Sequence, residues 1–408
     1  IYLLFLLPLL FIGCKTIQKA TTYDFPDPID TTTKPIDFQE KKQYGSAAMG
    51  VYADNRFDGA RLNNFEQVND STFKATILPE NEPINRSPWY AFKLWSDAPK
   101  NVQLVLDYED IKHRYHPKVS TDGETWTWLE DEKISFNEDT TAANLQLGLS
   151  SDTLWLAAQE IQNSHHVRQW CKEKAKHPAV NFEAIGKSKQ GRDLYYLNMG
   201  TGTPKGKEIV VVMGRQHPPE VTGYFAMRAF IDRLLEEDEM TKKFLERYQI
   251  MVFPLVNPDG VDLGHWRHSV GGIDLNRDWA YYRQPEIRQM VDFIARTASK
   301  QKSQVLLGLD FHSTYYDVYY TLSKDLKSVI PEFKDKWLEG IKTSLAAHNY
   351  EINDKPSGLT RPISKGWFYT QFKAEGVTYE IGDDTPRDFI EEKGGVSAEE
   401  MMKLLLER

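Results

Sequence analysis

The 408-residue sequence predicts an α/β domain preceded by an all-β sandwich, and three observations carry that expectation. In the second half, apolar β-prone runs end in residues capable of chemistry, the first of them followed by a segment of helical periodicity. The stretch 46–165 instead alternates short runs rich in Trp, Tyr, Val and Leu with polar turns, as sandwich strands do. The first 45 residues fit neither pattern. The length accommodates two domains with full cores. A net charge of −9 without long basic runs argues against nucleic acid as a partner. No repeat of 20–50 residues is visible.

The amino terminus opens on the apolar run Ile1-Tyr-Leu-Leu-Phe-Leu-Leu-Pro-Leu-Leu-Phe-Ile-Gly13, too short to span a bilayer as a helix. It ends in a small residue and Cys14, as a secretory segment does at its cleavage site. Leu10-Phe-Ile-Gly-Cys14 resembles a bacterial lipobox. The resemblance implies a lipoprotein signal over 1–14, lipid attachment through Cys14, and export to the periplasm or cell surface; an uncleaved anchor is the alternative. The Thr- and Pro-rich stretch 15–45 then reads as a flexible tether. Only Cys171 remains beyond it, so no internal disulfide can form.

The sandwich expected over 46–165 rests on Trp89-Tyr-Ala-Phe-Lys-Leu-Trp95, Val102-Gln-Leu-Val-Leu106, Thr125-Trp-Thr-Trp128, Leu145-Gln-Leu-Gly-Leu149 and Thr153-Leu-Trp-Leu156. Their aromatics recur at strand periodicity, which favours core packing; binding of a glycan is the alternative. The pair His165-His166 has no third ligand nearby and reads as linker or surface.

In the region 166–408, the run Glu208-Ile-Val-Val-Val-Met213 is a buried strand, and Ala226, Ala229, Phe230 and Leu234 share one helical face. Between them lies Gly214-Arg-Gln-His-Pro-Pro-Glu220. Pro218 and Pro219 suit a first helical turn, where a missing N–H costs nothing. His217 and Glu220 therefore flank a helix start at a strand end. Zinc accepts one nitrogen and one carboxylate there, and a catalytic site needs a third protein ligand. The alternative is a surface helix start with a carboxylate near the positive end of the dipole.

Val305-Leu-Leu-Gly-Leu-Asp-Phe-His312 is an apolar strand ending on a histidine that can supply that ligand, and α/β sheets gather ligands beyond the carboxyl ends of strands. Between these segments, the strand Ile250–Val256 ends in Asn257-Pro-Asp-Gly260 and is followed by Trp266-Arg267 and Asp274-Leu-Asn-Arg277. The last strand, Gly376-Val-Thr-Tyr-Glu-Ile-Gly382, carries one carboxylate, Glu380, whose burial is costly without a partner or a task. Glu286 in Gln284-Pro-Glu286 begins a helix and reads as its support.

These motifs, in this order, resemble the zinc metallocarboxypeptidase family of carboxypeptidase A. Gly186-Lys-Ser-Lys-Gln-Gly-Arg-Asp193 resembles that family's first hairpin. The stretch Asn257–Trp279 is similar to the cytosolic carboxypeptidase branch, and Arg86-Ser-Pro-Trp-Tyr-Ala-Phe92 resembles part of that branch's amino-terminal β-domain. The resemblance implies a mixed sheet of the eight-stranded type flanked by helices, and one Zn2+ per chain on His217, Glu220 and His312. It further implies Glu380 as general base, Arg267 polarising the scissile carbonyl, Asn276 and Arg277 holding the terminal carboxylate, and a peptide substrate.

For Arg267 the alternative is a surface arginine stacked on Trp266; for Arg277 it is an ion pair with Asp274 or Asp278. The family's mobile tyrosine is missing from Ser357–Trp367, leaving Tyr350 and Tyr369 as guesses. Pro219 replaces an arginine usual between the zinc histidine and glutamate. Thr360-Arg361 resembles an element linked to removal of acidic residues, so Arg361 or Lys365 can line a basic pocket for the terminal side chain; solvated charges are the alternative. Rival activities on the same ligands are amide hydrolysis of murein peptides or acyl-amino acids. A peptide- or glycan-binding lipoprotein without catalysis is the non-enzymatic alternative. The oligomeric state is not read from the sequence.

Overall fold

The computed structural model describes residues 33–82, 84 and 86–408. Cys14 and the signal expected over 1–14, with most of the tether, lie outside the described residues. Among the described residues no helix is long and apolar enough to cross a membrane.

The amino-terminal region is a sandwich of two sheets. One holds six strands in the order Gln43–Ser46, Val51–Asp54, Ala91–Ser96, Leu154–Ala157, Lys118–Ser120 and Thr127–Trp128. The other holds five, ordered Asn64–Gln67, Thr72–Thr76, Lys100–Asp107, Ala142–Leu149 and Ile134–Phe136. Period-two alternation builds the core: Ala143, Leu145, Leu147 and Leu149 are buried while their neighbours are not. Trp89, Tyr90 and Phe92 join that core; Trp128 remains 41% exposed.

The carboxyl-terminal region is built on a mixed seven-stranded sheet. Four parallel strands form its middle, in the order Tyr248–Phe253, Glu208–Gly214, Val305–Thr314 and Glu375–Gly382. The hairpin Val180–Lys187 and Asp193–Met199 pairs antiparallel at one edge, and Val318–Tyr320 at the other. Among the described residues the sheet has seven strands rather than the eight of the expected type; beyond Val318–Tyr320 there are only isolated bridges, Tyr319 to Asp354 and Leu322 to Ser357.

Both faces of the parallel centre are covered, as such sheets require. Val210 and Val212 pack into the core with Met227, Phe230 and Met401 from the helices Val221–Arg233 and Arg387–Leu406. Ile209, Val211 and Met213 face Ile287, Val291 and Trp367 from Pro285–Gln301 and Ser364–Phe372. One glycine sets the geometry at the site: a Cβ at Gly223 would lie 2.2 Å from the His312 carbonyl oxygen. That helix can approach the ligand-bearing strand only because position 223 has no side chain.

Local structure departs from expectation at two places. The helix after Glu208–Gly214 begins at Val221 with Glu220 as its N-cap residue, so Pro218 and Pro219 lie in the preceding turn. The strand expected through Val256 stops at Phe253, because Pro254 has no N–H for the ladder. The turn expected at 257–260 is one helical turn, Pro258–Asp262, with proline at its start and the Asn257 side chain accepting the Gly260 N–H at 3.0 Å.

Candidate active site

The carboxyl ends of the parallel strands place the candidate metal ligands together. His312 lies two residues before the end of the strand Val305–Thr314, which runs past the end expected at His312, and its register partner on the adjacent strand is Glu380. Glu220 makes no capping bond to its helix. Its two oxygens instead accept from the Nδ1 atoms of His217 (2.8 Å) and His312 (2.7 Å). All three side chains are buried, and their ligand atoms lie within 4.8 Å of one another.

Each imidazole is held from behind by a carboxylate. His217 Nε2 meets Asp274 Oδ1 at 2.9 Å, and His312 Nε2 meets Asp310 Oδ2 at 2.9 Å. Such outer carboxylates fix the ring orientation and turn the other nitrogen, here Nδ1, toward a metal. Asp310 is in turn held by Gln216 Nε2 at 2.6 Å and by the Ser364 hydroxyl.

The electrostatics of this cluster suit a cation. Burial opposes ionisation of Glu220, but His217 and His312 outweigh it and hold the carboxyl well below its ordinary range. Burial likewise disfavours protonated His312, yet Asp310 and Glu220 raise it well above the ordinary imidazole value. Protons thus sit where a divalent ion would replace them. Two imidazole nitrogens and one carboxylate are a catalytic zinc donor set, so the residues fit the ion.

Around this cluster lies a cavity of about 490 Å³ lined also by Glu380, Arg267, Asn276, Arg277, Arg361 and Lys365. Burial pushes the Glu380 carboxyl up to about 7, with the Glu220 charge adding to the shift and His312, His217 and Arg267 opposing it. Its Oε2 is buried without a hydrogen-bond partner among the described residues. A buried, unpaired carboxylate oxygen beside a candidate metal site has the environment of a proton acceptor.

Arg267 is 9% exposed, with Nε bonded to Asp274 Oδ2 at 2.8 Å. It is not stacked at the surface beside Trp266, whose indole enters the sandwich core and donates to the Trp89 carbonyl at 3.0 Å. Of the two carboxylates expected as partners, Arg277 makes a long ion pair with Asp274 (3.9 Å) and donates to the Asn276 carbonyl at 2.8 Å, while Asp278 accepts the N–H groups of Arg283 and Gln284. Burial lowers the Arg277 guanidinium pKa, Asp274 opposes that, and the Arg267 and Arg361 charges lower it further. Three cations therefore crowd one wall. Asn276 Oδ1 accepts the Ser364 N–H at 3.0 Å, and its Nδ2 lies 3.4 Å from His312 Nε2.

Lys365 differs from the expectation of an available cation. It is 1% exposed, and its ammonium donates to the Thr321 carbonyl at 2.6 Å and Ser357 Oγ at 2.7 Å. A buried ammonium must find acceptors, and these tie it to loop support. Burial lowers it to about 8. Arg361 is exposed at the cavity mouth.

Several lining residues escaped the sequence reading. Tyr320 lies on the cavity wall, whereas Tyr350 and Tyr369 do not line it. Arg114 and Ser87 reach the cavity from the sandwich, Arg114 through a bidentate pair with Asp383 at 2.7 and 3.2 Å. Nothing local in their sequence points to this. Asp310 did carry a signal: two positions before His312 on a strand, it shares that residue's face.

The zinc carboxypeptidase family model matches residues 167–396. The chain is 22% identical over 370 residues to an uncharacterized protein of Zymomonas mobilis, covering 85% of this chain and 92% of that protein. It is 28% identical over 281 residues to cytosolic carboxypeptidase 6 of Caenorhabditis elegans, covering 63% of this chain and 61% of that protein. With cytosolic carboxypeptidase 2 of Homo sapiens it shares 29% over 262 residues, 60% of this chain and 27% of that protein. It thus spans less than two thirds of these cytosolic relatives.

Among solved structures, a metallo-carboxypeptidase from Burkholderia cenocepacia has the same fold, with a TM-score of 0.69 at 16% identity, over 87% of this chain and 98% of that one. A metallo-carboxypeptidase from Pseudomonas aeruginosa gives 0.68 at 19%, over 87% and 99%. The family match covers all three buried candidate ligands, and the chain therefore belongs to the zinc carboxypeptidase family, as a zinc-dependent hydrolase.

Proposed function

We infer that the protein removes one amino acid from the carboxyl end of peptides, with preference for an acidic residue. The observation that carries this reading is the single cavity that brings together the His217, Glu220 and His312 cluster, the partnerless Glu380 oxygen and the guanidinium groups of Arg267, Arg277 and Arg361 beside that of Arg114. Crowded like charges on one wall are relieved by a substrate bearing carboxylates.

His217, Glu220 and His312 would hold the zinc ion, with Asp274 and Asp310 fixing the two rings. When bound, zinc supplies Lewis-acid chemistry, making water acidic near neutrality and polarising a carbonyl. Glu380 accepts a proton from the attacking water and returns it to the leaving amine. Arg267 faces the oxygen on which negative charge develops, where one donor is typically worth about 2.7–4 kcal/mol. Arg277, with Asn276, holds the terminal carboxylate through its planar fork. Arg361 receives an acidic side chain.

The test compares kcat/KM for peptides identical except for a final Glu, Lys or Phe. Glutamate should exceed phenylalanine by about ten- to hundredfold, the effect of one charge-assisted hydrogen bond. Equal rates for Glu and Phe, or faster removal of Lys, contradict the acidic preference. Cleavage confined to murein peptides or acyl-amino acids would mark an amidohydrolase instead. We further propose, from the sequence alone, export and lipid attachment at Cys14; absence of labelled fatty acid on the protein produced in a bacterial host that lipidates such cysteines contradicts it.

A further inference from the structure

Glu80, a residue of the sandwich region, is fully buried against the catalytic loop. Its Oε2 accepts the backbone N–H of Trp266 at 2.7 Å, and its Oε1 accepts those of Arg267 at 3.0 Å and His268 at 2.6 Å. Three consecutive N–H groups directed at one carboxylate form a backbone nest for an anion, and charge-assisted bonds of this kind are the strong ones. Burial works against the Glu80 charge, yet His265, Arg61, His268 and the Trp266 N–H together hold the carboxyl below its ordinary range.

The middle residue of the clamped triplet is Arg267. Its side chain has a second anchor, Asp274, at Nε, and Asp274 also holds the His217 ring. The backbone of Arg267 is thus fixed from the sandwich while its guanidinium is fixed from the catalytic region. Two further attachments flank the clamp: Asn81 Oδ1 lies 2.5 Å from His268 Nδ1, and the Trp89 carbonyl accepts the Trp266 indole N–H.

We propose that Glu80 is a positioning residue for the reaction, holding the 266–268 backbone so that the Arg267 guanidinium meets the scissile carbonyl oxygen. The sandwich is then part of the catalytic apparatus, because this catalytic loop takes its anchoring carboxylate from it. The proposal rests on the role given to Arg267 above. A carboxylate that merely joined the two regions would stabilise the fold without acting through Arg267, and the two cases separate experimentally.

The experiment uses the full chain loaded with zinc. Glu80→Gln preserves size but sets an NH2 group against the backbone donors. It should lower kcat roughly ten- to hundredfold, the scale of an ångström-level displacement, with KM within about twofold of wild type and zinc content unchanged. Deuterium uptake across residues 264–269 should rise in the same variant, with or without zinc. In an Arg267→Ala background, Glu80→Gln should lower kcat no further, since residues acting through one another are not additive.

Glu80→Asp keeps the charge, withdraws it by one methylene, and should give an intermediate kcat; it serves where the glutamine variant folds poorly. Folded, zinc-loaded Glu80 variants with wild-type kcat, or with losses that multiply with that of Arg267→Ala, overturn the proposal. An Arg267→Ala protein with wild-type kcat overturns the reading of Arg267 and the role of Glu80 with it. A disabled Arg267→Ala protein beside a fully active Glu80→Gln overturns the role of Glu80 alone.

Discussion

The metal end of the cavity and its basic rim are built on different principles. At the metal end, His312 and Glu380 are register partners on adjacent strands, and both nitrogens of His217 and of His312 have carboxylate partners. At the rim, Arg361 is exposed and Lys365 is diverted to loop carbonyl and hydroxyl groups. The metal end is fixed by sheet register and by the carboxylates that hold both imidazole rings, so its chemistry tolerates little displacement. The rim depends on loop conformation, where specificity can change without disturbing the ligands.

The largest expected effects fall at the metal end. His312→Ala should abolish zinc retention, measured as metal per chain after dialysis, and full occupancy would refute the ligand assignment. Glu380→Gln should keep the ion and the fold while turnover falls by about 10²–10⁴; activity within a few-fold of wild type calls for a different base. Glu380 must be ionised to accept a proton, so kcat/KM should fall as the pH drops. Burial sets the carboxyl near 7, and a cation alongside moves the limb below that value. A profile flat down to pH 4 would contradict this.

Next in size are Arg267 and Arg277, the two arginines that share Asp274. Arg267→Ala should lower kcat by about 10²–10³, whereas Arg277→Ala should mainly raise KM. The reverse pattern exchanges their roles. Arg361→Glu should then shift preference from acidic toward basic terminal residues by about ten- to hundredfold, with turnover of a neutral peptide little changed. An unaltered preference places the acidic side chain elsewhere.

The smallest effects are on stability. Gly223→Ala forces a Cβ to within 2.2 Å of the His312 carbonyl oxygen, an overpacking expected to cost about 1–3 kcal/mol and to weaken zinc binding. Lys365→Met should lower Tm through loss of the ammonium bonds to Thr321 and Ser357. A loss of acidic preference without a change in Tm would return Lys365 to the substrate pocket.

The same contrast explains what was legible in the sequence. The strand runs that carry His312 and Glu380, and the one that precedes His217, could be read because periodicity fixes burial and strand ends gather ligands. The sandwich was legible from alternation such as that of Ala142–Leu149. The missing eighth strand was not, because isolated bridges leave no periodic trace. Nor were the Thr321 carbonyl that holds Lys365 or the partners of Arg114 and Glu80, since these bonds join positions far apart in the chain. A buried carboxylate looks like any glutamate in a polar stretch until the loop it clamps is folded over it.

The most direct test is mass spectrometry of one peptide ending in glutamate, supplied with either a free or an amidated carboxyl end, after incubation with the zinc-loaded protein. Release of a single terminal residue from the free acid, with little or none from the amide, is the predicted result, because Arg277 and Asn276 are assigned to the terminal carboxylate. Internal cleavage, or equal processing of both peptides, would contradict carboxypeptidase action.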